Sequence, residues 1–335
     1  MKQDIKALCI LNLSILILLV YKSLDLISMA NDKPFTTGVI TAAEYNLGFP
    51  GLPRTDENGN EIKIPKIIHQ TYKSENIPDI WKGTQESVIE NTPGYQYILW
   101  TDAMARDFIA AEYSWFLPTF DSYPYPIMRA DSLRYFVLYH YGGIYIDLDN
   151  GVKQPLDKLL SLSAFFPKTD PTGVSNDIMA CSRGHPLFGR LIEELRNYNR
   201  NFILPYITIM YSTGPLFVSM VLQKYLRSHS SVDDPYRVRI LMPDSPQNSH
   251  LMTIRQLFGM LKGQSWHQSD AEYITMIGDH LLPFISICVI VSCFSLVLIF
   301  YIELTFINFA LPAIRWTFRR LVSIAYRRKN DREIV

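Results

Sequence analysis

The chain is short of several things. It has no excess of either charge, because 32 Lys and Arg balance 32 Asp and Glu over 335 residues. That balance argues against an electrostatic nucleic-acid binder, which needs a cationic surplus to displace counterions from phosphates. Cysteine is scarce, with four in all. Cys9, Cys288 and Cys293 fall in apolar runs. Cys181 alone is left in the polar part, which therefore cannot close an internal disulfide. No Cys/His group has zinc spacing. The single N-x-S/T sequon, at Asn12, lies inside an apolar run and should stay unused. Aromatic side chains are plentiful, with 20 Tyr and 18 Phe, and the chain is long enough to bury a full core.

Two apolar runs read as membrane segments. Residues 7–21, flanked by Lys2, Lys6 and Lys22, reach spanning length when extended to Ile27. Ser28-Met29-Ala30 is a poor cleavage site, so a signal anchor is the better reading. Residues 281–302 carry no charge, a strong transmembrane signal. Beyond them Arg315, Arg319, Arg320, Arg327, Arg328, Lys329 and Arg332 make a basic tail that favours the cytoplasmic side. Residues 304–326 fit an amphipathic interfacial helix. The expected organisation is an anchor over 1–30, a stalk or irregular lead-in over 31–64 and a globular lumenal domain over 65–280. A transmembrane helix over 281–302 and an interfacial and cytoplasmic tail over 303–335 complete it.

Within the globular part, strands alternate with helices, which indicates an α/β sheet. PKIIHQTYK (65–73) gives a short buried strand ending in polar residues. A helix over 78–90, a strand over 95–100, a Thr101-Asp102 cap and a helix over 104–113 follow. Residues 118–126 read as a Pro/Tyr-rich loop. Later come a strand at 176–181, helices at 187–198 and 216–227, and a strand at 238–241.

Residues 129–151, RADSLRYFVLYHYGGIYIDLDNG, organise the rest. Ala130, Leu133, Val137 and Tyr141 recur at the spacing of an amphipathic helix, and Asp131 and Arg134 share one face of it. Gly142-Gly143 stops the helix, since glycine accepts the φ > 0 conformations a helix end needs. From 144 to 149 the period becomes two, with Ile144, Ile146 and Leu148 on one side and Tyr145, Asp147 and Asp149 on the other. Asn150-Gly151 then turns the chain. Carboxylates at the carboxyl end of such a strand stand where open α/β sheets bind ligands. They suit a hard cation such as Mn²⁺ or Mg²⁺, which prefers oxygen ligands and can also hold a diphosphate. An Asp-x-Asp tripeptide alone is weak, since many are solvated turns, and a helix Asp/Arg pair is usually a surface ion pair. The helix, the glycine stop and the apolar strand in front supply the weight.

PKIIHQTYK, the 129–151 block, NDIMACSRGHPLF, STGPLF and GQSWH occur in this order. Together they resemble the DXD-containing glycosyltransferases of family 32, and more narrowly the fungal catalytic subunits of mannosyl inositol phosphoceramide synthase. The resemblance implies a GT-A, Rossmann-like domain between two membrane anchors. It implies GDP-mannose as donor, inositol phosphoceramide as acceptor, Mn²⁺ or Mg²⁺ as cofactor and a multi-spanning regulatory subunit as partner. It places the enzyme in the Golgi membrane, with the endoplasmic reticulum as a second candidate. By the same resemblance Asp149 binds the metal, and Asp147 contacts the ribose or a metal-bound water. Asp131 and Arg134 hold the donor sugar. Gln70 and Thr71 lie at the nucleotide, and Asn176 and Asp177 at the sugar. Ser265, Trp266 and His267 close over the diphosphate, with His267 as a further metal ligand.

Other readings fit less well. Phosphohydrolases of the haloacid dehalogenase type also end a strand in Asp-x-Asp. They want Thr or Val where this chain has Gly151, and their acidic strand opens the domain. A non-catalytic scaffold subunit is countered by the intact Asp131, Arg134, Asp147 and Asp149. A family 32 enzyme acting on a glycan acceptor is the alternative within the family.

Overall fold

A computed structural model describes residues 32–260 except 170–171, 230 and 246–249, together with scattered positions between 10 and 29 and most of 299–321. The GQSWH segment, with Ser265, Trp266 and His267, lies outside the described residues, as does most of 281–302. The chain divides into two units, Asp25–Glu272 and Met1–Leu24 with Tyr273–Val335.

The first unit is built on a six-stranded sheet. β1 (Ile67–Thr71), α1 (Asp79–Asn91) and β2 (Gln96–Trp100) come first. Three helices follow, α2 (Asp102–Glu112), α3 (Leu117–Ser122) and α4 (Pro126–Tyr141), and lead into β3 (Gly143–Ile146). Then come β4 (Asn150–Val152), β5 (Ala164–Pro167), β6 (Ile178–Cys181) and α5 (Pro186–Tyr198). The rest is α6 (Pro205–Ser212), α7 (Pro215–Ser228), β7 (Val238–Leu241) and β8 (Phe258–Met260). The strand order is β2-β1-β3-β6-β5-β7. All pairs are parallel except the two that β6 makes. The residues of β3, β5, β6 and β7 are buried throughout, as expected for a sheet covered on both faces.

This topology positions the site. The chain leaves β1 toward β2 on one side and returns to β3 on the other. The crevice between the carboxyl ends of β1 and β3 is therefore a switch point, where α/β sheets take ligands. Because β6 runs the opposite way, its amino end, preceded by Asn176 and Asp177, arrives at that same edge.

The double glycine does more than end a helix. Gly142 (φ 69°) caps α4, its N–H reaching Leu138 O at 2.8 Å. At Gly143 (φ 104°) a Cβ would lie 2.6 Å from Ile67 O, so glycine lets β3 close onto β1. The helix itself is not half-solvated as its spacing suggested. Met128 and every residue from Asp131 to Leu138 is buried, the charged pair included. Residues 118–126 are also less irregular than expected, because Pro118 fits the first turn of α3, where its missing N–H is harmless.

Residues 32–64 belong to the same unit as the sheet. Phe35, Ile40, Phe49 and Ile64 are buried, and Ile40 N–H bonds Ile240 O at 3.0 Å. A helix at Ala42–Leu47 starts with a capping box between Thr41 and Glu44.

In the second unit, Ile299–Leu321 is a helix long and apolar enough, by length and composition, to cross a membrane, with none of it buried. It takes in residues 303–321, which the sequence reads as interfacial. Asn12 Nδ2 donates to Glu303 Oε2 at 3.0 Å. Pro205–Ser228 passes the same test, but it is mostly buried and is broken into α6 and α7, as core helices are.

Candidate active site

β3 ends at Ile146, three residues earlier than the alternating pattern suggests. Asp147 N–H still bonds Asp177 O (2.8 Å), the last rung toward β6. Leu148 and Asp149 then form a turn, closed by Asn150 N–H to Asp147 O at 3.0 Å. Asn150-Gly151 does not turn the chain but opens β4, which pairs antiparallel with β8. The two acids thus straddle a turn instead of sharing a strand face. The cause is β8, a pairing partner over a hundred residues away that no local pattern reveals.

Arg134 is the centre of the site. It is buried in α4 and reaches three elements. Its Nη2 lies 3.0 Å from Asp131 Oδ1 and 3.4 Å from Asp147 Oδ1, and its Nη1 donates to Asn176 O at 2.6 Å. Its guanidinium stacks on the Tyr145 ring, 4.5 Å from the centroid. Asn176 Nδ2 contacts both Asp131 Oδ1 (3.1 Å) and Tyr135 Oη (3.0 Å). Thr213 Oγ1 donates to Asp131 Oδ2 at 3.0 Å. Tyr145 Oη donates to Asp147 Oδ1 at 2.5 Å and accepts from Thr71 Oγ1 at 2.8 Å. Asn150 Nδ2 reaches Asp177 Oδ2 at 3.3 Å. Asp131, Arg134, Asp147, Asn176 and Thr71 are therefore one network, with Asp149 and Asp177 at its mouth.

The network holds more negative charge than Arg134 can balance. Burial pushes the Asp131 carboxyl up to about 6, against the pull of Arg134. Burial also raises Asp147, partly offset by Arg134. Asp149 is pushed up to about 6 by burial and by the repulsion of Asp147 and Asp177. Burial works against the Arg134 charge, but Asp147, Tyr145 and Asp131 hold it above its ordinary value. Buried Asp149 Oδ1 and Asp177 Oδ1 have no hydrogen-bond partner. Orphan carboxylate oxygens in a negative field fit a hard divalent cation. Among the described residues no three of His, Cys, Asp and Glu converge to hold a metal by themselves. Asp149 and Asp177 would therefore be its protein ligands among these residues, leaving positions open for ligand oxygens.

Gln70 is fully buried and spent within the protein. Its Nε2 donates to Ile146 O (3.2 Å), and its Oε1 accepts from Tyr97 Oη (2.8 Å). Gln70 thus ties β1 to β3 beneath the crevice, while Thr71 stands at the edge. His69 is likewise internal. Trp100 Nε1 donates to its Nδ1 (3.1 Å), its Nε2 faces Gly142 O (2.9 Å), and burial lowers it to about 4. A cavity of about 20 Å³ lies at the carboxyl ends of β1 and β2, between Thr71, Thr101, Arg129 and Ala130. A larger one, about 200 Å³ between Arg54, Arg237 and Arg239, lies at the amino ends of β5 and β7 and touches none of these residues. Sequence reasoning named neither Thr213 nor Tyr145 as a site residue. Tyr145 was legible, since the alternation puts it on the side of Asp147. Thr213 stands in the STGPLF block that carries the resemblance, beside the glycine before α7, but nothing in that block ties it to Asp131.

Residues 78–166 match a family model described as a glycosyltransferase sugar-binding region containing a DXD motif. The chain is 43% identical to mannosyl phosphorylinositol ceramide synthase CSH1 of Saccharomyces cerevisiae over 307 residues, covering 91% of this chain and 78% of that one. It is 46% identical to inositol phosphoceramide mannosyltransferase 2 of Schizosaccharomyces pombe, covering 69% of this chain and 66% of that one. Among solved structures, the PaToxG glycosyltransferase aligns with TM-score 0.40 at 16% identity, over 56% of this chain and 75% of that one.

Proposed function

The chain belongs to the family of DXD-containing glycosyltransferases that includes the yeast mannosyl phosphorylinositol ceramide synthases, and on that premise we propose that it transfers mannose from GDP-mannose to inositol phosphoceramide. The observation that carries the chemistry is the pair of unpartnered oxygens of Asp149 and Asp177 beside the Arg134-held Asp131 and Asp147. The acceptor follows from the relatives' own activities.

The reaction breaks the bond between the sugar's anomeric carbon and a diphosphate oxygen, and forms one to an acceptor hydroxyl. Negative charge grows on the diphosphate while the sugar becomes oxocarbenium-like. A divalent cation at Asp149 and Asp177, Mn²⁺ or Mg²⁺, would supply charge neutralisation at the leaving group. Asp147 is held in place by Tyr145 and Arg134. Asp131 accepts from Asn176, Thr213 and Arg134 and is locked in place by them, and the family resemblance puts it at the donor sugar. The family resemblance implies retention; with Asp131 and Asp147 engaged by their neighbours and Asp149 and Asp177 assigned to the cation, no carboxylate is left as a covalent nucleophile, and the reading is front-face substitution. The acceptor proton then passes to the departing phosphate oxygen.

Two membrane segments suit a lipid acceptor, since catalyst and acceptor then meet at one surface. The Golgi membrane and a multi-spanning regulatory subunit belong to this reading. So do Thr71 on the nucleotide side, with Gln70 as a buried support beneath it, and Ser265, Trp266 and His267 closing over the diphosphate.

The test uses microsomes with wild-type protein or Asp149→Ala, labelled GDP-mannose, Mn²⁺ and inositol phosphoceramide. Label should enter a mannosylated sphingolipid and be lost, by about 10²-fold or more, in Asp149→Ala and on chelation. Transfer to a glycan instead of lipid would replace the acceptor. No transfer from any sugar nucleotide would favour a scaffold subunit.

A further inference from the structure

The loop between α5 and α6, residues 199–204, reads NRNFIL, and all six are exposed. Ile203 is 100% exposed, Phe202 40% and Leu204 41%. One exposed apolar residue needs no explanation, but three in succession at a loop tip do. Nor is this loop loose. Ser212 Oγ accepts from Arg200 N–H (3.1 Å) and faces Arg200 O (2.9 Å). Thr208 Oγ1 accepts from Phe202 N–H (2.9 Å), with its own proton in reach of Leu204 O (3.1 Å). Both hydroxyls belong to buried residues of α6. The Phe202 ring stands edge-on to Tyr211 at 5.2 Å. The base of the loop is clamped, and the clamp projects Ile203 into solvent.

Glu193 and Glu194 lie further back on α5, and the last turn of that helix and the loop hold no carboxylate. The loop carries Arg200. One turn back on α5, Arg196 lies over the exposed indole of Trp115, 5.8 Å from its ring. An apolar tip flanked by arginines and an indole matches the chemistry of a membrane interface with anionic headgroups. The tip is also tied to the site. α6, eight residues and so about 12 Å long, runs from the tip to Thr213, which holds Asp131.

We propose that Phe202, Ile203 and Leu204 insert into the surface of an anionic bilayer, so that α6 bears the sugar-holding wall of the site directly on the membrane that carries the acceptor. The link to the acceptor rests on the lipid-acceptor reading above, whereas insertion does not.

The decisive experiment places full-length Ile203→Trp in nanodiscs of phosphatidylcholine and phosphatidylinositol with brominated acyl chains. Val232→Trp, at an exposed position beside the Arg54–Arg237 cavity, is the reference. The added indole at 203 should emit to the blue and be quenched by bromine, and the one at 232 should do neither. Equal, water-like emission from both would overturn insertion and leave the tip to a protein partner. Ile203→Asp should keep the wild-type unfolding temperature and GDP-mannose KM, while raising KM for bilayer-embedded acceptor about tenfold. An unchanged acceptor KM would overturn the link to the site. Quenching needs no catalysis, so quenching without mannose transfer by the wild type would sink the function and spare the insertion.

Discussion

Thr213 Oγ1 donates a 3.0 Å hydrogen bond to Asp131 Oδ2 across 82 residues of chain. Both residues are buried, so the bond cannot be replaced by water. Thr213→Val keeps the shape and removes the donor, at a cost of about 1–3 kcal/mol. With one donor fewer, the Asp131 carboxyl rises further above about 6. The acidic limb of the transfer rate should therefore move to higher pH, and Thr213→Ser should restore it. A lower unfolding temperature with an unmoved limb would make Thr213 a packing residue only.

Arg134→Lys tests whether the cation or its fork matters. A guanidinium can serve Asp131, Asp147 and Asn176 O at once and stack on Tyr145, whereas an ammonium is a point charge that cannot. Breaking a buried pair of this kind costs about 3–5 kcal/mol. At roughly 2–4 °C per kcal/mol for a domain of this size, thermal unfolding should shift down by at least about 6 °C. A lysine variant that unfolds like wild type and transfers normally would show that Asp131 and Asp147 are held without the fork.

Much of this was legible locally. The helix, glycine stop and acidic pair lie within 129–151, where spacing alone places Asp131 beside Arg134 and both acids at a sheet edge. The spacing failed where distant chain decides. It treated α4 as amphipathic, because a polar pair with its own buried partners looks the same in sequence as a solvated one. It ran β3 through Asp149, because β8 is what draws Asn150–Val152 away. It had no means of finding Thr213, whose partner is on another helix. The family resemblance, not the spacing, put Gln70 at the nucleotide, while the structure engages both ends of that amide between β1, β2 and β3.

Asp149 sets function against stability, and the sign can be worked out. Its carboxyl stands at about 6 in the fold, against an ordinary value of 3.8, because burial and the charges of Asp147 and Asp177 disfavour ionisation. The fold thus prefers the protonated acid. That contribution is full below about 3.8 and is lost as pH rises through about 6. Asp149→Asn carries no charge and escapes the penalty. In chelator at pH 7.5 it should unfold at a higher temperature than wild type, and the gap should narrow as pH falls from 6 toward 4. Adding Mn²⁺ should reverse the order, because a cation bound only by the native site stabilises the wild type through mass action and has lost its ligand in the variant. Thermal melts of both proteins, at two pH values with and without Mn²⁺, decide the matter. A variant less stable than wild type in chelator at pH 7.5 would mean that Asp149 already has a partner, and the orphan oxygen would cease to be evidence for a metal.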